Sequence, residues 1–230
     1  MAGLSVASER ALAERVESEI YSRGDVAHGL EHASAVARLA RWLLQGTGTA
    51  GADERIVVAA AWCHDLRSRA EAGFADATSA SAAEALWMLG ELGFTDEERQ
   101  SVAHCITTAS WEHHVAGGVP ATIDAEILRD ADWLDAMGAH GLARVFAFAG
   151  TYGVPLRWVE GDPTHPTRLP TDSQRADPSP FHHFYSKLLW LRDGLRTPRA
   201  RREGERRHGV LVQYLQDFQS EINRTTPIGS

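Results

Sequence analysis

The sequence has few cysteines and no long apolar run, and each absence argues against a class of protein. Its 230 residues include only two cysteines, Cys63 and Cys105, both inside helical patterns. We therefore expect two reduced core thiols rather than a disulfide. No segment reaches the roughly 20 consecutive apolar residues that a membrane-spanning helix needs, and the first residues lack the features of a secretory signal. These absences favour a cytoplasmic protein that does not enter a membrane.

Positive charge is also scarce relative to negative charge. The 31 acidic residues outnumber the 23 lysines and arginines, which gives a net charge of -8. A net negative protein repels the phosphate backbone, so nucleic-acid binding over a broad surface is disfavoured. Residues 192–207 contain seven arginines and are the exception. We interpret them as the solvated face of a helix.

No segment shows the sustained two-residue alternation of a β-strand, and no internal repeat is evident. Apolar residues instead recur at helical spacing, as they do at Leu12, Val16 and Ile20. Asp53 and Thr122 are suited to cap helices, and residues 95–98 read as a capping box. The pattern predicts an all-α protein.

The C-terminal third contains a break in this helical pattern. The Pro-, Asp- and Thr-rich stretch 154–180 is too long for a plain turn, so we predict a lid over a site or a disordered insertion. A helix over 181–195 follows, and Pro198 opens a long final helix ending near Asn223.

The most informative feature is a histidine–aspartate pair at the end of an apolar helix. His64 and Asp65 directly follow the run 56–63. Polar groups at the end of a buried helix are costly unless a partner satisfies them, and a divalent metal would satisfy both. By itself the pair says little, because this dipeptide arises by chance in many chains.

Further potential ligands occur elsewhere in the chain. His28 and His32 are spaced four residues apart, so they share a face if their helix begins early enough. Asp132 and Asp135 are neighbours on another helix, whereas Asp130 points elsewhere. Such close carboxylates repel unless a cation or hydrogen bonds offset the repulsion. Imidazole and carboxylate ligands suit Mn, Fe, Ni, Co or Zn, and Mg less well. The alternative interpretation is that these histidines are ordinary surface or core residues and bind no metal.

Four segments resemble the HD-domain metal-dependent phosphohydrolases, and in particular their YedJ/YpgQ-like branch. They occur in the family's order, and the third is the most specific; they are residues 25–32, 61–66, 128–144 and 182–189. The resemblance implies an HD-domain helical bundle with a C-terminal helical extension. It also implies one HD-type domain over 1–230, with a core at about 20–150, a loop or lid at 151–180, and helices over 181–224 packing on the core.

The resemblance also implies a ligand set and a reaction. The family holds a divalent metal with ligands in the order His, His-Asp, Asp, which correspond here to His32, His64, Asp65 and Asp132. Metal-activated water would then release phosphate or pyrophosphate from a small phosphorylated metabolite, expected to be a nucleotide. One divalent ion is expected, whether Mn, Fe, Ni, Co, Zn or Mg, and a homodimer is allowed.

Several residues are predicted to bind this substrate. His28 matches a family position that we interpret as a substrate or supporting group. Lys187 and His183 belong to the helix that the family presents toward the site. Arg67 and Arg69 follow the His-Asp pair and are suited to hold a distal phosphate. Surface positions are the alternative for Lys187 and for both arginines.

The catalytic residues are less well defined by the sequence. Asp65 is expected to act in catalysis as well as in metal binding. Asp135 is also expected to be catalytic. The candidates for the general base are Asp135, Glu71 and Asp76, and Asp135 also has a potential structural partner in Arg144.

The chain departs from the family pattern at three positions. No histidine precedes residues 81–82, residues 109–112 replace a His-Ser-aromatic-Ser stretch, and Ala35 replaces an arginine. Because such positions bind phosphate or a second metal in the family, the departures weaken the case for a two-metal centre. Other histidines would have to substitute for the missing ones, and the candidates are His104, His113 and His114. Two alternative functions remain, an HD-type di-iron oxygenase and a non-catalytic HD ligand-binding module.

Overall fold

The computed structural model describes residues 3–20, 28–67, 77–170 and 177–225, and these residues contain helices and no strand. In chain order the helices are α1 (Val6–Ile20), α2 (Leu30–Leu44), α3 (Glu54–Cys63), α4 (Ala77–Glu91), α5 (Asp96–Ala109), α6 (Trp111–Val115), α7 (Ile123–Asp135), α8 (Gly138–Thr151), α9 (Pro180–Ser186), α10 (Leu191–Gly194) and α11 (Pro198–Thr225). A short 3-10 helix, Leu188–Trp190, lies between α9 and α10. The predicted all-α class is confirmed. Within the described ranges, no helix has both the length and the apolar character that crossing a membrane requires.

The helix starts follow from local capping, as predicted. The Asp53 side chain accepts a hydrogen bond from the backbone N–H of Arg55 at the start of α3. Thr95 and Glu98 form a reciprocal capping box at the start of α5. The Thr122 hydroxyl accepts from the backbone at the start of α7. Each cap satisfies backbone donors that would otherwise lack a partner, which fixes where the helix begins.

The core forms around α3. All eight residues of the run 56–63 are buried, which is expected for a helix that is apolar on every side. Helix α3 packs against α2, α5 and α7, and α2 also packs against α7. This arrangement brings one end of α3 close to α2 and α7.

Asp130 points away from these helix contacts, as predicted. Its buried carboxylate accepts hydrogen bonds from the backbone N–H groups of Arg196 at 2.8 Å and Thr197 at 2.7 Å. Burial raises its pKa to about 6, although the two N–H donors oppose that shift. Asp130 therefore ties α7 to the start of α11, which packs along α7 and α8. The assignment of residues 1–230 to one HD-type domain stays a prediction.

The single helix predicted over 181–195 is wrong. The structure has three short helical pieces there, and the first break falls at Lys187, whose φ of -136° and ψ of -61° are not helical. The carbonyl oxygen of Tyr185 accepts instead from the Trp190 indole N–H at 2.7 Å and from the backbone N–H of Leu169 at 3.3 Å. These bonds replace the helical hydrogen bond that a continuous helix would form at this carbonyl.

The described parts of the stretch 154–180 are 154–170 and 177–180, and they contain no helix or strand before Pro180 opens α9. Its Trp158 ring stacks on Phe218 at 5.2 Å and contacts Phe181 edge-on at 5.0 Å. The hydroxyl of Tyr185 donates to the carbonyl oxygen of Gly161 at 3.1 Å. This part of the chain therefore packs on α9 and α11, and its predicted role as a lid stays a prediction.

Gly141, on α8, provides a sharp test of the packing where α7 ends and α8 begins. A Cβ at this position would lie 2.2 Å from the backbone carbonyl oxygen of Ala136, and a backbone atom cannot rotate away. We expect Gly141→Ala to lower the free energy of unfolding by about 2 kcal/mol, measured by urea denaturation. The matched control is Gly150→Ala on the same helix, where a Cβ meets nothing within 4 Å. It should be neutral or stabilising, by up to ~1 kcal/mol, and equal losses in both variants would contradict the described packing.

Candidate metal centre

Three helices bring two histidines and two aspartates to one place. Helix α2 carries His32, the end of α3 leads into His64 and Asp65, and α7 carries Asp132. The imidazole Nε2 atoms of His32 and His64 lie 3.0 Å apart. Asp65 Oδ2 lies 3.4 and 3.6 Å from these two nitrogens, and Asp132 Oδ1 lies 3.5 and 3.7 Å from them. All four predicted ligands therefore meet.

The second nitrogen of each imidazole ring fixes its orientation. Nδ1 of His32 lies 2.7 Å from Oδ2 of Asp135, and Nδ1 of His64 lies 2.8 Å from the carbonyl oxygen of Ala61. Both partners are acceptors, so each Nδ1 carries a proton and donates it. The two Nε2 atoms then face each other, and at this distance they repel unless a proton or a metal cation lies between them.

The distances match the coordination shell of a transition metal. Ligand atoms about 2.1 Å from an ion lie about 3.0 Å apart at a right angle and about 3.4 Å apart at a tetrahedral angle. The contacts among the four side chains run from 3.0 to 3.7 Å, so they cover this range and extend slightly above it. The potential ligand atoms of His32, His64 and Asp132 all lie within 4.8 Å of one another, and Asp65 Oδ2 lies within the same distance of both imidazoles. Their mixed nitrogen and oxygen donors suit Mn, Fe, Co, Ni or Zn.

The electrostatics of the site favour positive charge between its carboxylates. Burial alone would lower the pKa of His64, but Asp65 and Asp132 outweigh it and raise that pKa to about 9. Burial alone would raise the pKa of Asp132, but the hydrogen bond and charge of His64, with the charge of His32, hold it well below its usual value. The pKa of Asp65 is lowered in the same way. A bound cation would therefore meet ionised carboxylates at neutral pH, and it would take the place of the proton on His64.

Comparison with known proteins decides the family. No protein-family model matches the chain. The curated protein YpgQ of Bacillus subtilis is 33% identical over 196 residues, which cover 85% of this chain and 84% of YpgQ. An HD-superfamily hydrolase from Bacillus thuringiensis has a similar structure, with a TM-score of 0.62 and 28% identity over 94% of this chain and 97% of that one. The chain belongs to the YpgQ-like branch of the HD superfamily.

Two further solved structures share this HD fold. A protein from Lactobacillus plantarum aligns with a TM-score of 0.76 at 23% identity, covering 96% of this chain and 99% of that chain, which shows the fold alone. YpgQ in complex with ADP aligns with a TM-score of 0.65 at 29% identity, covering 91% and 97%. Membership of the superfamily gives the coarse function of this HD protein, a metal-dependent phosphohydrolase.

Asp135 lies behind the ligands of the HD site. Its side chain is only 2% exposed, and its Oδ2 accepts from Nδ1 of His32 at 2.7 Å and from Arg144 at 2.8 Å. Its Oδ1 accepts from Nδ1 of His140 at 2.8 Å. The predicted pairing with Arg144 is confirmed. Burial would raise the pKa of Asp135, but His32, Arg144 and His140 lower it, which makes the carboxylate a weak base. These contacts favour a positioning role over the general-base role predicted from the sequence.

His28 and Arg67 lie close to the ligands but in unexpected settings. The condition for His28 and His32 to share a helix face is not met, because α2 begins only at Leu30. The rings nevertheless meet, with centroids 6.0 Å apart, and Phe148 packs against His28 at 5.7 Å. The guanidinium of Arg67 lies 2.8 Å from Glu84, so a substrate phosphate would compete with this ion pair.

His183 lies in a hydrogen-bond network that the sequence did not reveal. Asp177 accepts from Nδ1 of His183 at 2.6 Å, from Nδ1 of His182 at 3.0 Å and from the hydroxyl of Ser186 at 2.7 Å. No sequence pattern pointed to Asp177, because it lies in the irregular stretch before α9. The half-buried Lys187 follows this helix. The substrate-binding roles of His183 and Lys187 stay predictions.

Among the remaining candidates, those that the structure describes add no ligand to the site. Arg69, Glu71 and Asp76 lie outside the described residues. His114 packs between two indole rings, with ring centroids 5.5 Å from Trp111 and 5.1 Å from Trp133. The prediction that other histidines substitute for missing ligands therefore finds no support at His114.

Proposed function

We propose that this HD phosphohydrolase acts on a nucleotide and that four residues hold one divalent metal ion, namely His32, His64, Asp65 and Asp132. The observation that carries the proposal is the approach of two imidazole Nε2 atoms to 3.0 Å beside two carboxylates. The ADP complex of YpgQ supports a nucleotide substrate, because that relative shares the fold along nearly its whole length.

The chain's own residues prepare the site for this chemistry. A divalent ion, when bound, lowers the pKa of coordinated water and offsets charge on a phosphoryl oxygen. The carboxylate of Asp135 and the carbonyl of Ala61 hold the two imidazoles through Nδ1, which keeps Nε2 available as a ligand.

Asp65 has the most open position among the four side chains. It is 37% exposed, compared with 27% for Asp132, 10% for His64 and 2% for His32. The substrate and the attacking water must enter from the solvent side. We therefore assign Asp65 a catalytic role beside the reacting phosphoryl group in addition to its role as a ligand.

A phosphate-release screen tests the substrate class. The full chain is incubated with nucleotides and sugar phosphates in the presence of Mn²⁺ or Co²⁺, and orthophosphate and pyrophosphate are measured separately. We expect turnover of nucleotides to exceed turnover of sugar phosphates. Turnover of sugar phosphates without turnover of nucleotides would contradict the nucleotide assignment. Binding of nucleotides without turnover in any metal would instead indicate a non-catalytic module. An oxygenase would be indicated by a different observation, two iron ions about 3.5–4 Å apart in the site.

Lys187 offers a separate test, because it is the only lysine in the sequence. If its ammonium group binds a substrate phosphate, ADP should protect it from reductive labelling by pyridoxal phosphate, as measured by peptide mass mapping. Lys187→Met should then raise KM about tenfold through the loss of a charge-assisted hydrogen bond. The amino terminus, labelled in the same sample, is the internal control. Labelling of Lys187 that ADP leaves unchanged would remove this residue from the substrate site.

A further inference from the structure

A second polar cluster lies on a different face of α7 from Asp132. Arg129 and Trp133 stand one turn apart on α7, and Trp111 begins α6. The two indole rings lie 5.5 Å apart, and the guanidinium carbon of Arg129 lies 5.2 Å from the Trp133 ring centre. The exposed Arg168 lies 5.0 Å above Trp111, and His114 packs against both indoles. We call these five residues the tryptophan–arginine cluster.

Three N–H donors of this cluster are buried and lack a hydrogen-bond partner among the residues that the structure describes. They are Nε1 of Trp111, Nε1 of Trp133 and Nε of Arg129. The side chain of Arg129 donates from Nη2 to the carbonyl oxygen of Thr108 at 2.8 Å. Buried polar groups are nearly always hydrogen-bonded. Three such donors in one small region therefore require an acceptor.

The charge of the cluster restricts the kind of acceptor. Arg129 is 1% exposed, and burial lowers its pKa to about 10, which leaves it charged at neutral pH. Burial and the nearby charges of Arg129 and Arg168 also lower the pKa of His114. Indole and guanidinium groups donate but do not accept. Asp130 and Glu126 offset part of the charge of Arg129 from outside the cluster. A neutral acceptor would satisfy the donors without adding to this compensation, whereas an oxyanion would satisfy the donors and place negative charge beside the guanidinium.

We propose that the tryptophan–arginine cluster binds an oxyanion of the phosphate class. With about 100° between successive helical residues, Arg129 and Trp133 project from α7 roughly 60–100° away from Asp132, so this site is separate from the metal ligands. The exposed guanidinium of Arg168 provides a positively charged approach to the buried donors. The proposal does not depend on which substrate the metal site hydrolyses.

Indole N–H resonances of the ¹⁵N-labelled full chain with Mg²⁺ present test the proposal directly. The chain has seven tryptophans, and the resonances of Trp111 and Trp133 are assigned from the Trp111→Phe and Trp133→Phe variants. Inorganic phosphate should shift these two resonances saturably and leave that of Trp42 unchanged. ADP is titrated in parallel: a shift of the same two resonances by ADP identifies a substrate phosphate as the ligand, and a shift by phosphate alone identifies a free anion.

Arg129→Met should weaken phosphate binding by about tenfold or more, because it removes a charged donor. The matched control is Arg199→Met, which removes a guanidinium that stacks on Trp42 at 4.0 Å outside the cluster; it should bind phosphate as tightly as the wild type. If Arg129→Met does not fold, the wild-type spectra decide alone. Resonances of Trp111 and Trp133 that neither phosphate nor ADP shifts would overturn the proposal, as would undiminished affinity in a folded Arg129→Met variant.

Discussion

Asp65→Ala should abolish hydrolysis. The substitution removes a carboxylate whose Oδ2 lies 3.4 Å from His32 Nε2 and 3.6 Å from His64 Nε2. It therefore removes both a metal ligand and the most exposed of the four site side chains. We expect kcat/KM to fall by about a thousandfold or more, beyond the roughly 10–100-fold typical of residues that only support a ligand. Rates are measured with Mn²⁺ on the best substrate from the phosphate-release screen.

Asp96→Ala is the control for this experiment. Asp96 opens α5, and its side chain is 91% exposed, so its removal should leave kcat/KM unchanged. Circular dichroism should show the same helix content in both variants, because neither replacement disturbs a helix interior. An Asp65→Ala protein that keeps full activity would remove Asp65 from the catalytic site.

Asp135→Asn should lower metal affinity about 10–100-fold, which is the loss typical of residues that orient a ligand. The amide is neutral, so it holds the Nδ1 proton of His32 less firmly, and it leaves Arg144 and His140 without their carboxylate partner. The affinity is measured by calorimetric titration with Mn²⁺. Because the defect lies in binding the ion, a higher Mn²⁺ concentration should restore much of the activity.

This result separates the two roles considered for Asp135. A general base would affect kcat alone, and saturating Mn²⁺ would not restore the rate. Glu126→Gln is a suitable control, since Glu126 lies on the same helix and pairs with Arg196 at 3.2 Å, outside the metal site. Unchanged metal affinity in Asp135→Asn, with kcat reduced at every Mn²⁺ concentration, would restore the general-base role.

The sequence predicted those features that depend on neighbouring residues. Helix starts at Asp53 and Thr122 were predictable because a cap acts on backbone groups two or three residues away. The meeting of His32, His64 and Asp132 was predictable only through the family pattern. Their spacing alone was equally consistent with ordinary surface or core histidines.

Features that depend on distant contacts were not predictable. The break at Lys187 arises because Trp190 and Leu169 occupy the carbonyl of Tyr185, and Leu169 lies in an irregular stretch. The role of Asp135 likewise depends on how α2 packs against α7. A sequence pattern does not distinguish a carboxylate that faces the metal from one that lies behind a histidine ligand.

Metal content is the most direct test of the central claim, that His32, His64, Asp65 and Asp132 hold one divalent ion. The full chain is treated with EDTA, dialysed against Mn²⁺ and then against metal-free buffer, and its metal is measured by inductively coupled plasma mass spectrometry. We expect one ion per chain in the wild type and close to none in His64→Ala. A wild-type chain that retains no ion, or a His64→Ala chain that retains as much as the wild type, would contradict this account.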